Sequence, residues 1–200
     1  ETPVVIIEGQ RTGPATGMPT RTEQGDLLFM INASHGEFLR VVLTPGSAKE
    51  AYTHTIKAFY LAEKYQIPVI VLVDKYLSES YYTVNVTKFK EENILPQSFV
   101  KKVPKNYKRY KINSNGISPR TIPGMKGGEH NCNSDEHDEF GFSTEYPSVR
   151  KNMVNKRITK LPDLVKELPK PTIMNEKSEI VLVCWGSSKG LVKEIASKLN

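Results

Sequence analysis

Four short apolar runs, Val4 to Ile7, Arg40 to Leu43, Val69 to Val73 and Ile180 to Trp185, are continuous rather than alternating with polar residues. Continuous β-branched runs are the pattern of strands covered on both faces in a parallel sheet. Helices are therefore expected to flank it, which makes the fold class α/β. Ser47 to Tyr65 supplies one such helix. Ser47 and Glu50 form a capping box after Pro45-Gly46, and Ala51, Thr55, Ala58, Phe59 and Ala62 recur at helical spacing. The result is a strand, helix, strand unit over 40–73, expected to be right-handed. A second helix is predicted from about Gln24 to Ile31, and another from about Val149 to Leu168 that Pro162 breaks or kinks.

From Lys88 to Tyr146 periodicity fades, and Gly127-Gly128, several prolines and two acidic clusters predict mostly ordered irregular loops. Within it lies a basic stretch, Lys101-Lys102, Lys105, Lys108-Arg109 and Lys111, with Tyr107 and Tyr110 between. No recognition fold accompanies it, so a solvated loop or subunit contact is expected rather than a nucleic-acid surface. Leu168-Pro169-Lys170-Pro171 reads as a stiff linker, followed by a fresh strand over 179–185, a Gly186-Ser187-Ser188 turn and a helix from about Lys189 to Leu199. Residues 1–170 are thus expected to form one domain and 175–200 the opening of a second, because one strand and one helix make no core. The chain opens without Met at Glu1-Thr2-Pro3, directly before an apolar run, and is expected to be an excerpt that lacks the domain's N-terminal part.

Composition narrows the function. The 200 residues are 38% hydrophobic and 25% charged, with thirteen Gly and thirteen Pro, which excludes collagen-like and broadly disordered chains. The longest apolar run, Ile67 to Val73, falls far short of the roughly 20 residues of a membrane-spanning helix. No signal segment opens the chain, so a cytoplasmic protein is expected. The net charge of +6 comes from mixed charges and selects no partner. Two cysteines, Cys132 and Cys184, cannot build a four-thiolate cluster.

The stretch most suggestive of chemistry is Gly9-Gln10-Arg11-Thr12-Gly13-Pro14-Ala15-Thr16-Gly17-Met18-Pro19-Thr20-Arg21-Thr22-Glu23-Gln24-Gly25-Asp26-Leu27. It follows the first strand directly, and open α/β sheets bind ligands at the carboxyl ends of their strands. Its glycines allow close backbone approach, and Arg11 offers a planar fork for a carboxylate or phosphate. The spacing matches neither GxxxxGK[ST] nor GxGxxG, so from composition alone a plain loop is the simpler reading.

As a string it says more. The chain resembles the alpha subunit of 2-oxoacid:ferredoxin oxidoreductases, of the 2-oxoglutarate or broad 2-oxoacid type, whose characteristic stretch reads like QRxGPSTGxPTxxEQGDL. Ala15 stands where that pattern has Ser. The likeness continues through His35-Gly36-Glu37-Phe38, Thr44-Pro45-Gly46, residues 62–72 and Asp74-Lys75-Tyr76-Leu77. It resumes at Ile122-Pro123-Gly124, Gly128-Glu129-His130, residues 135–139 and Thr144-Glu145, and is weakest over 88–118.

The resemblance implies a thiamine-diphosphate-binding fold over about 1–170, with a mostly parallel sheet, then the start of a transketolase C-terminal-like domain. It implies that this chain holds the pyrimidine side of thiamine diphosphate while a beta subunit supplies the diphosphate and Mg²⁺ site and the iron-sulfur cluster. It implies oxidative decarboxylation of a 2-oxoacid such as 2-oxoglutarate to an acyl-CoA, with coenzyme A and ferredoxin as further partners. Arg11 matches the arginine expected to hold the substrate carboxylate, and Thr16 a threonine whose hydroxyl lies near the reacting oxygens. Gly13, Pro14 and Gly17 would shape the supporting turn. The catalytic carboxylate is expected before residue 1, and Glu8 is read as the polar end of a strand.

Other candidates read as structural. Gly128 to Cys132 with Asp135 to Glu139 holds His130, Cys132, His137 and several carboxylates, but the spacing fits no standard zinc pattern, so a polar loop at a subunit or site edge is expected and no metal. His54 is expected inside a helix and His35 in a turn. The sequons at Asn32 and Asn85 are taken as accidental. The competing functions are a non-catalytic interaction module of the same fold and an enzyme specific for pyruvate or branched-chain 2-oxoacids.

Overall fold

A computed structural model of the chain describes residues 1–85 and 99–198. Strands β1 (Val4–Gln10), β2 (Val41–Leu43) and β3 (Pro68–Asp74) form a parallel sheet in the order β1-β3-β2. The register sets Gln10 opposite Asp74 on one side of β3 and Val41 opposite Val69 on the other. Helix α2 (Ala48–Tyr65) connects β2 to β3, which gives the expected crossover between adjacent parallel strands. Its start follows the sequence signal: Ser47 Oγ accepts the Glu50 N–H at 3.2 Å, while the Glu50 carboxylate accepts the Gly46 N–H at 2.9 Å, one residue ahead of the cap. It ends at Gln66, whose φ of 53° turns the chain and whose N–H donates to the Ala62 carbonyl.

Alternate residues of β3 face two layers. Val69, Val71 and Val73 pack with Ala58, Leu61, Ala62 and Tyr65 of α2 and with Val41 and Leu43. Ile70 and Leu72 face the other way, against Met30, Leu27, Val42 and Trp185. Burial of each such aliphatic side chain contributes roughly 1.5–3 kcal/mol. Burial on both faces thus holds for β3 but not for β1. Val4, Ile6 and Ile7 are exposed there, because β1 is an edge strand with no strand beyond it among the described residues.

Helix α1 (Leu27–Asn32) begins at Leu27 rather than Gln24, two of the three preceding residues being committed elsewhere: the Gln24 amide bonds Asp74 and Trp185, and the Asp26 N–H donates to Gln10 Oε1. A short helix, α3 (Lys75–Glu79), starts directly at Asp74, whose Oδ1 accepts the Leu77 N–H and caps it. The helix predicted over 149–168 is two, α4 (Pro147–Ile158) and α5 (Leu161–Glu167), with Pro162 in the first turn of the second. Proline has no N–H to continue the ladder and is tolerated only there. Glu167 ties α5 to α2, accepting from Lys64 at 2.5 Å and from Tyr65 Oη at 2.8 Å.

The strand expected over 179–185 does not form. Ile180, Val181, Leu182 and Val183 are all exposed, and no described strand lies beside them to take up their backbone groups. A strand without a neighbour has nothing to hold it extended. Helix α6 (Ser188–Lys198) follows as expected, residue 199 lying outside the described residues.

Residues 99–146 carry turns and isolated bridges, Phe99 with Arg120 and His137 with Ser143, as the loss of periodicity predicts; 86–98, including the sequon residues after Asn85, lie outside the described residues. The basic stretch is solvated only in part. Lys101, Lys102, Lys105 and Lys111 are exposed, whereas Tyr107, Arg109 and Tyr110 are buried. The Arg109 guanidinium donates to Gln66 Oε1 at 3.0 Å and to the Glu1 carbonyl at 3.1 Å, so its charge serves the core. Among the described residues no helix is long and apolar enough to cross a membrane.

Candidate functional site

β1 delivers the chain at Gln10 to the carboxyl edge of the sheet, and residues 11–26 loop back before α1. The loop closes on itself: the Met18 N–H donates to the Thr12 carbonyl at 2.9 Å and the Arg21 N–H to the Met18 carbonyl at 3.0 Å. Gly17 sits at φ +52°, and a Cβ there would lie 1.9 Å from the Thr12 carbonyl oxygen, so only glycine permits this closure. The Gly13 N–H donates to the Glu23 carboxylate at 3.3 Å, and Pro14 follows in the exposed turn.

That closure brings Arg11 and Thr16 together. Arg11 Nε donates to the Thr16 carbonyl at 3.0 Å, which fixes the guanidinium plane over the turn. Both residues are exposed, and the other guanidinium N–H groups have no acceptor among the described residues. A guanidinium held by one nitrogen with its remaining fork open suits bidentate capture of a carboxylate.

The loop is anchored by residues that the sequence reading does not single out. Gln24 Nε2 donates to Asp74 Oδ2 at 3.0 Å and to the Trp185 carbonyl at 2.9 Å, and Thr22 Oγ1 accepts the Tyr76 N–H at 3.2 Å. Asp74 also accepts the Ser187 N–H at 2.8 Å. Burial would push its carboxyl up, but the amides of Ser187 and Leu77 and the Gln24 side chain more than offset this and hold it below the usual aspartate range. Gln10 is fully buried, its Oε1 taking the Asp26 N–H at 3.1 Å while its Nε2 has no partner among the described residues. The available signal was an acidic residue closing a fully apolar run, which is where an N-cap for a following helix belongs.

The remaining candidates fall elsewhere. Glu8 lies within β1, two residues short of its end. His35 stands in an exposed bend and His54 in the middle of α2, where burial lowers the imidazole below the ordinary histidine range. In the loop over 128–139 the carboxylates hold the protein's own cations: Glu136 takes both Arg157, at 2.7 Å, and Arg150, at 3.1 Å, and Glu139 takes Lys108 at 2.7 Å. His137 is buried against Tyr110, with ring centroids 4.0 Å apart. Among the described residues no group of three His, Cys, Asp or Glu stands in a metal-binding arrangement. A concavity of about 1410 Å³ runs between β2 and residues 168–185 and does not include Arg11 or Thr16, which lie open at the surface.

Residues 1–156 match the family model described as pyruvate flavodoxin/ferredoxin oxidoreductase, thiamine diphosphate-binding. The chain is 40% identical over 207 residues to the 2-oxoacid:ferredoxin oxidoreductase subunit alpha of Saccharolobus solfataricus, covering all of this chain and 32% of that protein. It is 31% identical over 213 residues to the 2-oxoglutarate synthase subunit KorA of Methanocaldococcus jannaschii, covering all of this chain and 53% of that one. A solved 2-oxoglutarate:ferredoxin oxidoreductase from Magnetococcus marinus, with 2-oxoglutarate, coenzyme A and succinyl-CoA bound, superposes with a TM-score of 0.83 at 31% identity over 99% of this chain and 35% of that chain. The chain thus spans about a third of the length of the Saccharolobus solfataricus subunit and about half that of the Methanocaldococcus jannaschii one.

Proposed function

The chain belongs to the pyruvate flavodoxin/ferredoxin oxidoreductase, thiamine diphosphate-binding family, and from that premise we propose that it is the cofactor-domain portion of an alpha subunit that oxidatively decarboxylates a 2-oxoacid such as 2-oxoglutarate. The acyl group passes to coenzyme A and two electrons to ferredoxin. Similarity to proteins named 2-oxoacid:ferredoxin oxidoreductase subunit alpha and 2-oxoglutarate synthase KorA supports the reaction class.

Thiamine diphosphate, when bound, supplies the carbanion chemistry that releases carbon dioxide. The residues present fit the substrate side of that group. The loop offers the Arg11 guanidinium and hydroxyls at the carboxyl edge of the sheet, a donor set suited to a carboxylate. Arg11 holds the substrate carboxylate through its open fork, and Thr16 keeps Arg11 in plane through its carbonyl while its hydroxyl faces the reacting oxygens. Gly13, Pro14 and Gly17 hold the turn that presents both. We assign the Mg²⁺ and diphosphate site and the iron-sulfur cluster to a beta subunit, which also completes a pocket that this surface loop leaves open. We place the enzyme in the cytoplasm, where free thiols such as exposed Cys132 are kept reduced. We place the domain boundary at 168–171, with 175–200 opening a transketolase C-terminal-like domain.

The observation that carries this reading is the Arg11 to Thr16 contact on that loop. In the assembled two-subunit enzyme, Arg11→Ala is expected to lower kcat/KM for 2-oxoacid-dependent ferredoxin or dye reduction by about one to two orders of magnitude, since a charge-assisted contact contributes roughly 1.5–3 kcal/mol. Near-wild-type turnover would sink the assignment.

A further inference from the structure

The turn beyond the proline linker is seated on the same edge of the sheet as the Arg11 loop. The Trp185 ring packs on the face of β3 that carries Ile70 and Leu72, and its carbonyl accepts from Gln24. Gly186 has φ +61°, and a Cβ there would lie 2.6 Å from Gln24 Nε2 and 2.9 Å from Asp74 Oδ2, so side chains from the loop and from β3 already fill that space. On its other side the turn meets the start of α2: a Cβ on Gly46 would lie 2.6 Å from the Gly186 carbonyl oxygen, and Lys189 Nζ lies 2.6 Å from Glu50 Oε1. The turn therefore bridges the carboxyl ends of β2 and β3 by contacts from three separate segments.

Asp74 is the hub. One carboxylate oxygen receives Gln24 from the loop and the Ser187 N–H from the turn, and the other caps α3. From this we infer that Asp74 and Gln24 are positioning residues that couple the turn at 185–187 to the Arg11 loop, so that the carboxylate clamp is in register only while the turn is seated. The coupling path is short. Gln24 follows Glu23, which accepts the Gly13 N–H, and Gly13 lies between Arg11 and Thr16 in the closed turn. Removing Gln24 frees the end of the loop and one acceptor of the turn at the same moment. The inference rests on the reading of Arg11 as the substrate clamp, but its structural half is independent of that reading.

The test uses the assembled enzyme with Gln24→Ala, a half-buried site that leaves the β3 core untouched, and Gly186→Ala, which drives a methyl group into the Gln24 and Asp74 contact from the other side. Amide hydrogen exchange is followed at 11–26 and 185–189 together, alongside steady-state kinetics. Both variants are expected to raise exchange in both segments by about tenfold or more and to raise KM for the 2-oxoacid several-fold with a smaller change in kcat. Gln24→Glu, which keeps the chain length but repels Asp74, is expected to behave like Gln24→Ala. Gln24→Asn, which shortens the reach but keeps the donor, is expected to recover part of the KM. Exchange confined to the mutated segment, or coupled exchange with an unchanged KM, overturns the inference. A failure of the clamp reading itself shows separately, as an unaltered KM in Arg11→Ala.

Discussion

Glu1 and Lys156 are 155 residues apart in sequence and meet at 2.5 Å, and the same carboxylate takes Lys160 at 2.9 Å. The three side chains are between 0% and 3% exposed, so two ammonium groups share one carboxylate out of reach of water. Burial would raise the Glu1 carboxyl, but Lys160 and Lys156 overcome it and hold the group at about 2. Burial lowers Lys156 to about 8 despite Glu1, which shows that one carboxylate does not fully offset two buried cations.

Acid sensitivity follows from this cluster. A carboxyl whose folded pKa lies below its ordinary value of 4.5 contributes stability above that value and loses it as pH falls toward about 2. Glu1→Gln removes that contribution at neutral pH and leaves both lysines without their counter-charge, at a cost of about 3 kcal/mol. Urea titrations of the full protein at pH 7 and pH 3 are expected to show a large difference for the parent and a smaller one for Glu1→Gln. Equal pH dependence in the two would remove Glu1 as the cause.

The sheet and its main helix predict a sharp contrast between neighbours. Leu61 is fully buried between α2 and β3, while Phe59 is 46% exposed on the same helix although the sequence places it in the apolar repeat. Leu61→Ala is expected to cost about 2–5 kcal/mol and Phe59→Ala much less, because only the first leaves a cavity that packed neighbours cannot fill. Thermal unfolding of the two variants measures this directly.

The same contrast marks what the sequence makes legible. Ser47 and Glu50 identify the start of α2 because capping is a contact three residues long, and Val69 to Val73 identify β3 because its neighbours on both faces demand apolar side chains. Ile180 to Trp185 carries an equally apolar pattern and forms no strand, since pairing depends on a neighbour that the pattern does not encode. Arg11 and Thr16 are legible as a string, five residues apart. Their anchors are not: Gln24 reaches Asp74 across 50 residues and Trp185 across 161, and neither residue type is unusual where it stands. Arg109, expected in a solvated loop or subunit contact, is instead buried within the chain for the same reason, its acceptors being Gln66 and the Glu1 carbonyl.

Gly17 isolates the shape of the loop from the stability of the fold. Its substituent would strike backbone, the Thr12 carbonyl oxygen at 1.9 Å and Gly13 Cα at 2.9 Å, and its φ of +52° disfavours any side chain. The loop is exposed and outside both core clusters, so Gly17→Ala is expected to leave the unfolding temperature near that of the parent while lowering kcat/KM by about tenfold or more. A fall in stability with activity intact would mean that the turn serves folding rather than the site.

Arg11→Lys separates charge from geometry. Lysine keeps the positive charge but lacks the planar fork, so one ammonium must replace both the Nε donor to the Thr16 carbonyl and the open N–H groups. If the site needs only a cation, the variant matches the parent. If it needs a guanidinium locked in plane by Thr16, the lysine variant loses much of what Arg11→Ala loses, with a rise in KM for the 2-oxoacid of about tenfold. The loss is expected to persist at raised ionic strength, because a short hydrogen-bonded contact is screened less than a distant charge. Activity of Arg11→Lys equal to the parent on the free acid would reduce Arg11 to a source of field and assign the orientation of the substrate to other residues.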